Sequence, residues 1–125
     1  MRRRTCLKTL AAAAGVSSIS AAAPPIQLHV DLDVDSAKEK KLVENFRNVF
    51  RPAISRQPGF VDVKLLRLRK ALSGPTPLPY RLLISFQTEE QRQAWVATTD
   101  HQRAWPAIEE NLRGSKYTAV LYDAD

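Results

Sequence analysis

"IQLHVDLDV", Ile26 to Val34, alternates without a break: Ile26, Leu28, Val30, Leu32 and Val34 fall on one side, Gln27, His29, Asp31 and Asp33 on the other. A period of two over nine residues predicts a strand with one face buried and the other polar. Asp35 or Ser36 can cap what comes next, where Leu42, Val43, Phe46, Val49, Phe50, Ala53 and Ile54 recur at helical spacing until "RQPGF" (Arg56–Phe60) stops the pattern. This predicts an amphipathic helix of about 20 residues with one broad apolar face.

Two further strands are read in "FVDVKLLRLRK" (Phe60–Lys70) and "YRLLISFQ" (Tyr80–Gln87). Between them "ALSGPTPLP", with one glycine and three prolines, predicts a loop rather than a tight hairpin turn. Thr88 with Gln91 three residues on offers a capping box. Helical segments are expected from about Glu89 to Leu112, with interruptions near Thr98-Thr99-Asp100 and at Pro106 and an end at Gly114. "KYTAVLYDA" (Lys116–Ala124) is the last strand.

The order strand, helix, strand, strand, helix, strand is the ferredoxin-like split βαβ arrangement, an α+β fold. Right-handed crossovers place both helices on one face of a four-stranded antiparallel sheet. The other face then carries Gln27, His29 and Asp31 from the first strand and Arg81, Leu83 and Ser85 from the third. Such a mixed face can meet water or a second copy of the chain. A twofold dimer that closes the two sheets into an α/β barrel would also protect the edge strands.

The chain has 125 residues, 19 Lys and Arg against 13 Asp and Glu, a net charge of +6 and an apolar fraction of 44%. It divides into two parts, residues 1–23 and 24–125. "MRRRTCLK" followed by an Ala-rich run has the charged, apolar, small order of a signal peptide. Its apolar part, Leu10 to Ile19, falls short of the roughly 20 residues a membrane span needs. Arg3-Arg4-Thr5-Cys6-Leu7-Lys8 resembles the twin-arginine (Tat) export motif, with Cys6 at the aromatic position, and the general secretory route stays open as the alternative. The expected cut follows Ala22, because a cut after Ala23 would put Pro24 beside the scissile bond. The mature protein is then expected in the periplasm or outside the cell, with no membrane span.

Loss of Arg2, Arg3, Arg4 and Lys8 leaves 15 basic residues against 13 acidic, a net +2. The basicity of the whole chain is thus mostly targeting information, and no nucleic-acid partner is expected. Cys6 leaves too, so disulfides, thiolate catalysis and cysteine-bound metal are excluded from the mature chain.

The strand-helix order, "QPGFVDVKLLR" (Gln57–Arg67) and "FQTEEQRQAWVATTDHQRAW" (Phe86–Trp105) together resemble the antibiotic biosynthesis monooxygenase family of dimeric α/β barrels, over about residues 26 to 123. The resemblance implies a homodimer. It also implies one of three outcomes: oxidation of polyaromatic or quinol substrates by molecular oxygen without metal or flavin, haem binding and degradation, or no assigned activity. The haem-degrading branch uses a tryptophan, a haem-ligating histidine ten residues later and an asparagine on the first strand. Trp95 matches the first, but the ligand position is Trp105 and the asparagine position is about Val30. An indole N–H is a donor only, so haem degradation by that route is not expected.

Within "WVATTDHQRAWPAIEENL", on one continuous helix, His101, Trp105, Ile108 and Leu112 would share a face. One reading is a core stripe headed by a histidine. The other is a cavity between helices and sheet, walled by Trp95 and Trp105, where a flat aromatic stacks and His101 serves as base or hydrogen-bond partner. His29 and Asp31 are a second candidate pair, either lining a pocket or lying as solvated or interface residues on the strand's polar face. Two histidines without a short ligand motif give no expectation of a metal site. Lys64, Arg67, Arg69, Lys70 and Arg81 form either a solvated rim or a surface for an anionic substrate or a partner's carboxylates.

No Gly-rich phosphate loop, nucleophile elbow, flavin motif or nicotinamide motif is present. With no cofactor expected, an oxidation would draw on the substrate's own electrons. Two functions follow from the sequence: an exported cofactor-independent monooxygenase of a quinol or polyaromatic, and a non-catalytic periplasmic module that binds a small aromatic or a partner protein.

Overall fold

The computed structural model describes residues 24–125, so the expected signal peptide and its cut after Ala22 lie outside the described residues. Strand β1 (Ile26–Val34) is central, as its alternation demands: Ile26, Val30, Leu32 and Val34 are buried, while Gln27, His29, Asp31 and Asp33 are not. With β2 (Phe60–Arg67), β3 (Tyr80–Phe86) and β4 (Leu112–Asp123) it makes one sheet of order β2-β3-β1-β4. All three pairings are antiparallel. Each helical connection joins strands separated by one neighbour, which is the ferredoxin-like split βαβ topology.

The first connection begins where Asp35 accepts a hydrogen bond from the Ala37 amide at 3.0 Å. A short 3₁₀ turn, Ser36–Lys38, leads into α1 (Glu39–Asn45), a π-helical stretch (Phe46–Phe50) and α2 (Arg51–Ser55). The single helix expected from the spacing is therefore continuous in direction but irregular in pitch. Pro52 lacks an N–H and crowds the preceding turn, and the wider π turn directly before it accommodates that crowding. Leu42, Phe46, Phe50 and Ile54 are nevertheless buried against the sheet, where each is worth roughly 1.5–3 kcal/mol of transfer free energy. Val49, expected on that face, is turned outward.

The second connection is α3 (Glu89–Val96) and α4 (Thr99–Glu109). Thr88 caps α3 by accepting from the Gln91 backbone N–H at 3.1 Å, but only this half of the expected capping box forms, since Gln91 Oε1 has no partner among the described residues. Thr98 interrupts the run as expected and caps α4 through the His101 amide at 3.1 Å. Pro106, expected to interrupt again, lies inside an unbroken α4. It sits on the exposed side of the helix, where the carbonyl it leaves unpaired can meet water. Gly114 also departs from expectation, since it does not end the helix. With Ser115 it takes a left-handed conformation within β4 (φ +57° and +56°), next to the register shift between Leu32 and Val34. Leu112 accordingly belongs to β4 and not to the helical stripe of His101.

Candidate functional site

All the helices lie on the face of the sheet that carries Val30, Leu32, Leu82 and Phe86. On the β2 side, Phe46 and Phe50 stack at 6.3 Å between ring centres and fill the space. Toward β4 the packing is incomplete. Tyr117 and Leu121, which share the inward face of β4 with Ala119 through their pairing with Leu32 and Leu28, stay 42% and 44% exposed. The break at Thr98 divides the helical layer here, and α4 commits Ala104 and Ile108 to the core. A cavity of about 270 Å³ is left between α3, α4 and the sheet, close to the lower end of the roughly 300–1,000 Å³ usual for small-molecule sites.

Its floor is Leu28, Val30, Leu82, Ile84 and Ala119, and its walls include Phe50, Trp95, His101, Trp105 and Tyr117. The imidazole of His101 stands edge-on to Trp95 at 5.0 Å and lies nearly parallel to Trp105 at 6.5 Å and 11°. Trp105 in turn meets Tyr117 edge-on at 5.0 Å, and Trp95 meets Phe50 at 5.9 Å. These are ordinary aromatic geometries, and they fix the imidazole plane without using its nitrogens. Among the described residues, His101 hydrogen-bonds only through its backbone amide.

Burial lowers the pKa of His101 from its ordinary value, and the nearby Arg92 charge lowers it further. The imidazole is therefore neutral at neutral pH and has a lone pair to accept a proton or a hydrogen bond. Arg92 itself is held by Glu89 through two hydrogen bonds of 2.6 Å. The same bonds hold the Glu89 carboxyl down at about 2.

Of the residues singled out from sequence, Trp95, His101 and Trp105 border this one cavity. The core-stripe reading fits only part of α4, because Ile108 is fully buried while His101 and Trp105 are half-buried beside the void. His29 and Asp31 do not join them. One residue of alternation puts both on the opposite face of the sheet. There His29 contacts Gln27 at 3.3 Å and the Tyr122 ring at 4.7 Å, and Asp31 receives Nε and Nη2 of Arg81 at 2.7 and 3.2 Å. The basic residues of β2 and β3 do not act together either: Arg67 reaches Glu39 at 3.8 Å on the helix side, and Lys64 reaches Asp62 at 3.5 Å on the other. Arg92, Tyr117 and Phe50 were not singled out from sequence. Arg92 lies one helical turn before Trp95 and Tyr117 alternates with Ala119, but such spacings are shared by many surface residues.

Among the described residues no three His, Cys, Asp or Glu side chains cluster, and no helix is long and apolar enough to cross a membrane. Residues 25–107 match the sequence model of the family described as antibiotic biosynthesis monooxygenase. No curated protein gives a significant sequence match. Similar solved structures include a dimeric ferredoxin-like protein of unknown function from Jannaschia sp. CCS1, at 16% identity and a TM-score of 0.69, covering 80% of this chain and 99% of that one. SnoaB, a cofactor-independent oxygenase from Streptomyces nogalater, is 18% identical with a TM-score of 0.67 over 82% of this chain and 95% of its own. An ethyl tert-butyl ether (ethd) family protein from Bacillus halodurans C-125 is 16% identical with a TM-score of 0.62, covering 81% and 99%. At these identities the likeness is one of fold, and proteins named for different roles share it.

Proposed function

Since the chain belongs to the antibiotic biosynthesis monooxygenase family, we propose that it is a cofactor-independent monooxygenase of a small quinol or polyaromatic molecule, exported and active as a homodimer. The observation that carries this reading is the apolar cavity with a neutral, unpartnered imidazole on its wall. A flat substrate fits between Trp95, Trp105 and the aliphatic floor, against a mostly apolar lining. His101 removes the proton of a ring hydroxyl. A ring C–H carbon of the resulting phenolate reduces oxygen by forming a C–O bond, and the imidazolium returns its proton to the peroxide. Loss of water takes the hydrogen of that carbon and leaves a carbonyl, so one O–H and one ring C–H become the two C=O groups of a quinone while one O₂ is consumed and one water forms.

The homodimer is supported by the outer sheet face, where Leu66, Val120 and Tyr122 are 41%, 50% and 53% exposed around the Asp31–Arg81 pair. It is also supported by the dimeric state of the Jannaschia relative. Export is supported by the twin-arginine-like residues Arg3 to Lys8. The test of the activity is oxygen uptake by the mature protein with a panel of hydroquinones and hydroxylated polyaromatics. The expected result is consumption well above the protein-free rate for at least one of them, and a blank rate throughout would refute the oxygenase.

One observation favours a second reading, a non-catalytic binding module: among the described residues no carboxylate orients a ring nitrogen of His101, whereas catalytic bases are often held by a third group. That reading expects an aromatic ligand to quench Trp95 and Trp105 fluorescence with no oxygen consumed.

A further inference from the structure

Arg92 is the one charged residue among those that line the cavity, and no Asp or Glu is among them. Its side chain as a whole is 20% exposed, and its bonds to Glu89 use Nε and Nη2. Nη1, with two N–H groups, has no partner among the described residues, and a guanidinium offers five donors in a fixed fork. The pair with Glu89 is formally neutral, but its field in the cavity is not. Arg92 lines the cavity and Glu89 does not, so the cation lies on the cavity side of the pair. The remaining lining is aliphatic and aromatic apart from His101 and the Tyr117 hydroxyl, so one cation meets a ligand beside a mostly apolar wall.

From this geometry we infer that the cavity selects flat aromatic molecules bearing an oxyanion, a carboxylate or an acidic phenolate, held by the free side of the Arg92 guanidinium, with Glu89 as the residue that positions it. The inference rests on reading this cavity as the ligand site and extends it to the charge of the ligand. Glu89 fixes Arg92 from behind, as two hydrogen bonds within one helical turn would, so binding an anion needs no rearrangement of the fork. The other groups facing the imidazole are the Trp95 and Trp105 indoles and, beyond Trp105, the Tyr117 phenol. Asp100 on α4 is engaged by Arg103, Arg56 and Gln57. Arg56 and Arg103 are thus paired with Asp100, and neither lines the cavity.

The test compares 2-naphthoate with its neutral isostere 2-naphthamide by quenching of tryptophan fluorescence in the mature protein. A charge-assisted contact in this setting predicts that naphthoate binds roughly tenfold or more tighter. Arg92→Gln abolishes that preference while leaving naphthamide affinity unchanged, which also reports that the cavity is intact. Arg92→Lys restores part of the preference, since it keeps the charge and loses the fork. Equal affinity for the two probes in the native protein, or a preference that survives in Arg92→Gln, overturns the inference. Absence of binding by both probes overturns the inference together with the ligand site. Oxygen uptake is measured separately, so an Arg92-dependent preference without turnover sinks the oxygenase alone, and turnover without the preference sinks the anion selectivity alone.

Discussion

The two histidines of the chain stand on opposite sides of one sheet, and their settings differ more than their sequence contexts do. His29 follows a strand's polar rhythm, beside Asp31, and finds neighbours on every side: Gln27, Tyr122 and the Asp31–Arg81 pair. His101 follows a helix's apolar rhythm and packs against the Trp95 and Trp105 rings, with neither ring nitrogen hydrogen-bonded among the described residues, beside a void. Both have their pKa lowered, His29 by burial and then by Arg81 against the opposing pull of Asp31, His101 by burial and then by Arg92. Titration therefore does not separate them. Space does, because a base acts only where a substrate can reach it.

The largest expected effect breaks the symmetry of the pair. His101→Ala should lower oxygen uptake with an accepted quinol by about 10²–10⁴-fold, the usual worth of a general base, whereas His29→Ala should leave it within about twofold. Because the base must be neutral and its pKa lies below 6.5, activity in the native protein should hold level at neutral pH and fall only as the medium is acidified past that lowered value. A fall with its midpoint above pH 6.5 would deny His101 the part.

A smaller effect compares the two sides as packing. Trp95 is 2% exposed and touches both Phe50 and His101, so Trp95→Ala should cost about 3–5 kcal/mol in denaturant unfolding. Tyr122 is 53% exposed on the outer face, so Tyr122→Ala should cost the fold no more than about 0.5 kcal/mol. It should show instead as a weaker dimer in light scattering. Similar unfolding costs for the two would mean that the inner and outer faces are not the distinct environments described.

The two faces of the sheet are legible in the sequence, because strict alternation from Ile26 to Val34 leaves one arrangement that turns five apolar residues toward the helices, four of them buried. The break at Thr98 is legible too, through a capping threonine in a run that could not stay apolar. Pro106 and Gly114 mislead for one reason. Each breaks a helix only in the right setting, and here Pro106 lies on an exposed face and Gly114 sits in a strand irregularity. The π stretch before Pro52 shifts where Val49 points, and periodicity at 3.6 residues cannot register it.

Within the site, Trp95, His101 and Trp105 can be named from sequence because rare residues at helical spacing stand out. Arg92 cannot, since an arginine one turn from a tryptophan reads as a solvated helix charge until the sheet is laid beneath it. The cavity has no local signal at all. It is the space left between Leu28, Ile84, Ala119 and two helices, positions spread over some ninety residues of chain.

Whether that space is the working site is tested most directly by following both histidine side chains by NMR while an accepted quinol or 2-naphthoate is added without oxygen. The account predicts that the ring signals of His101 move on saturation and those of His29 stay where they were. Movement of His29 with His101 unchanged, or of neither while the ligand binds, would contradict it.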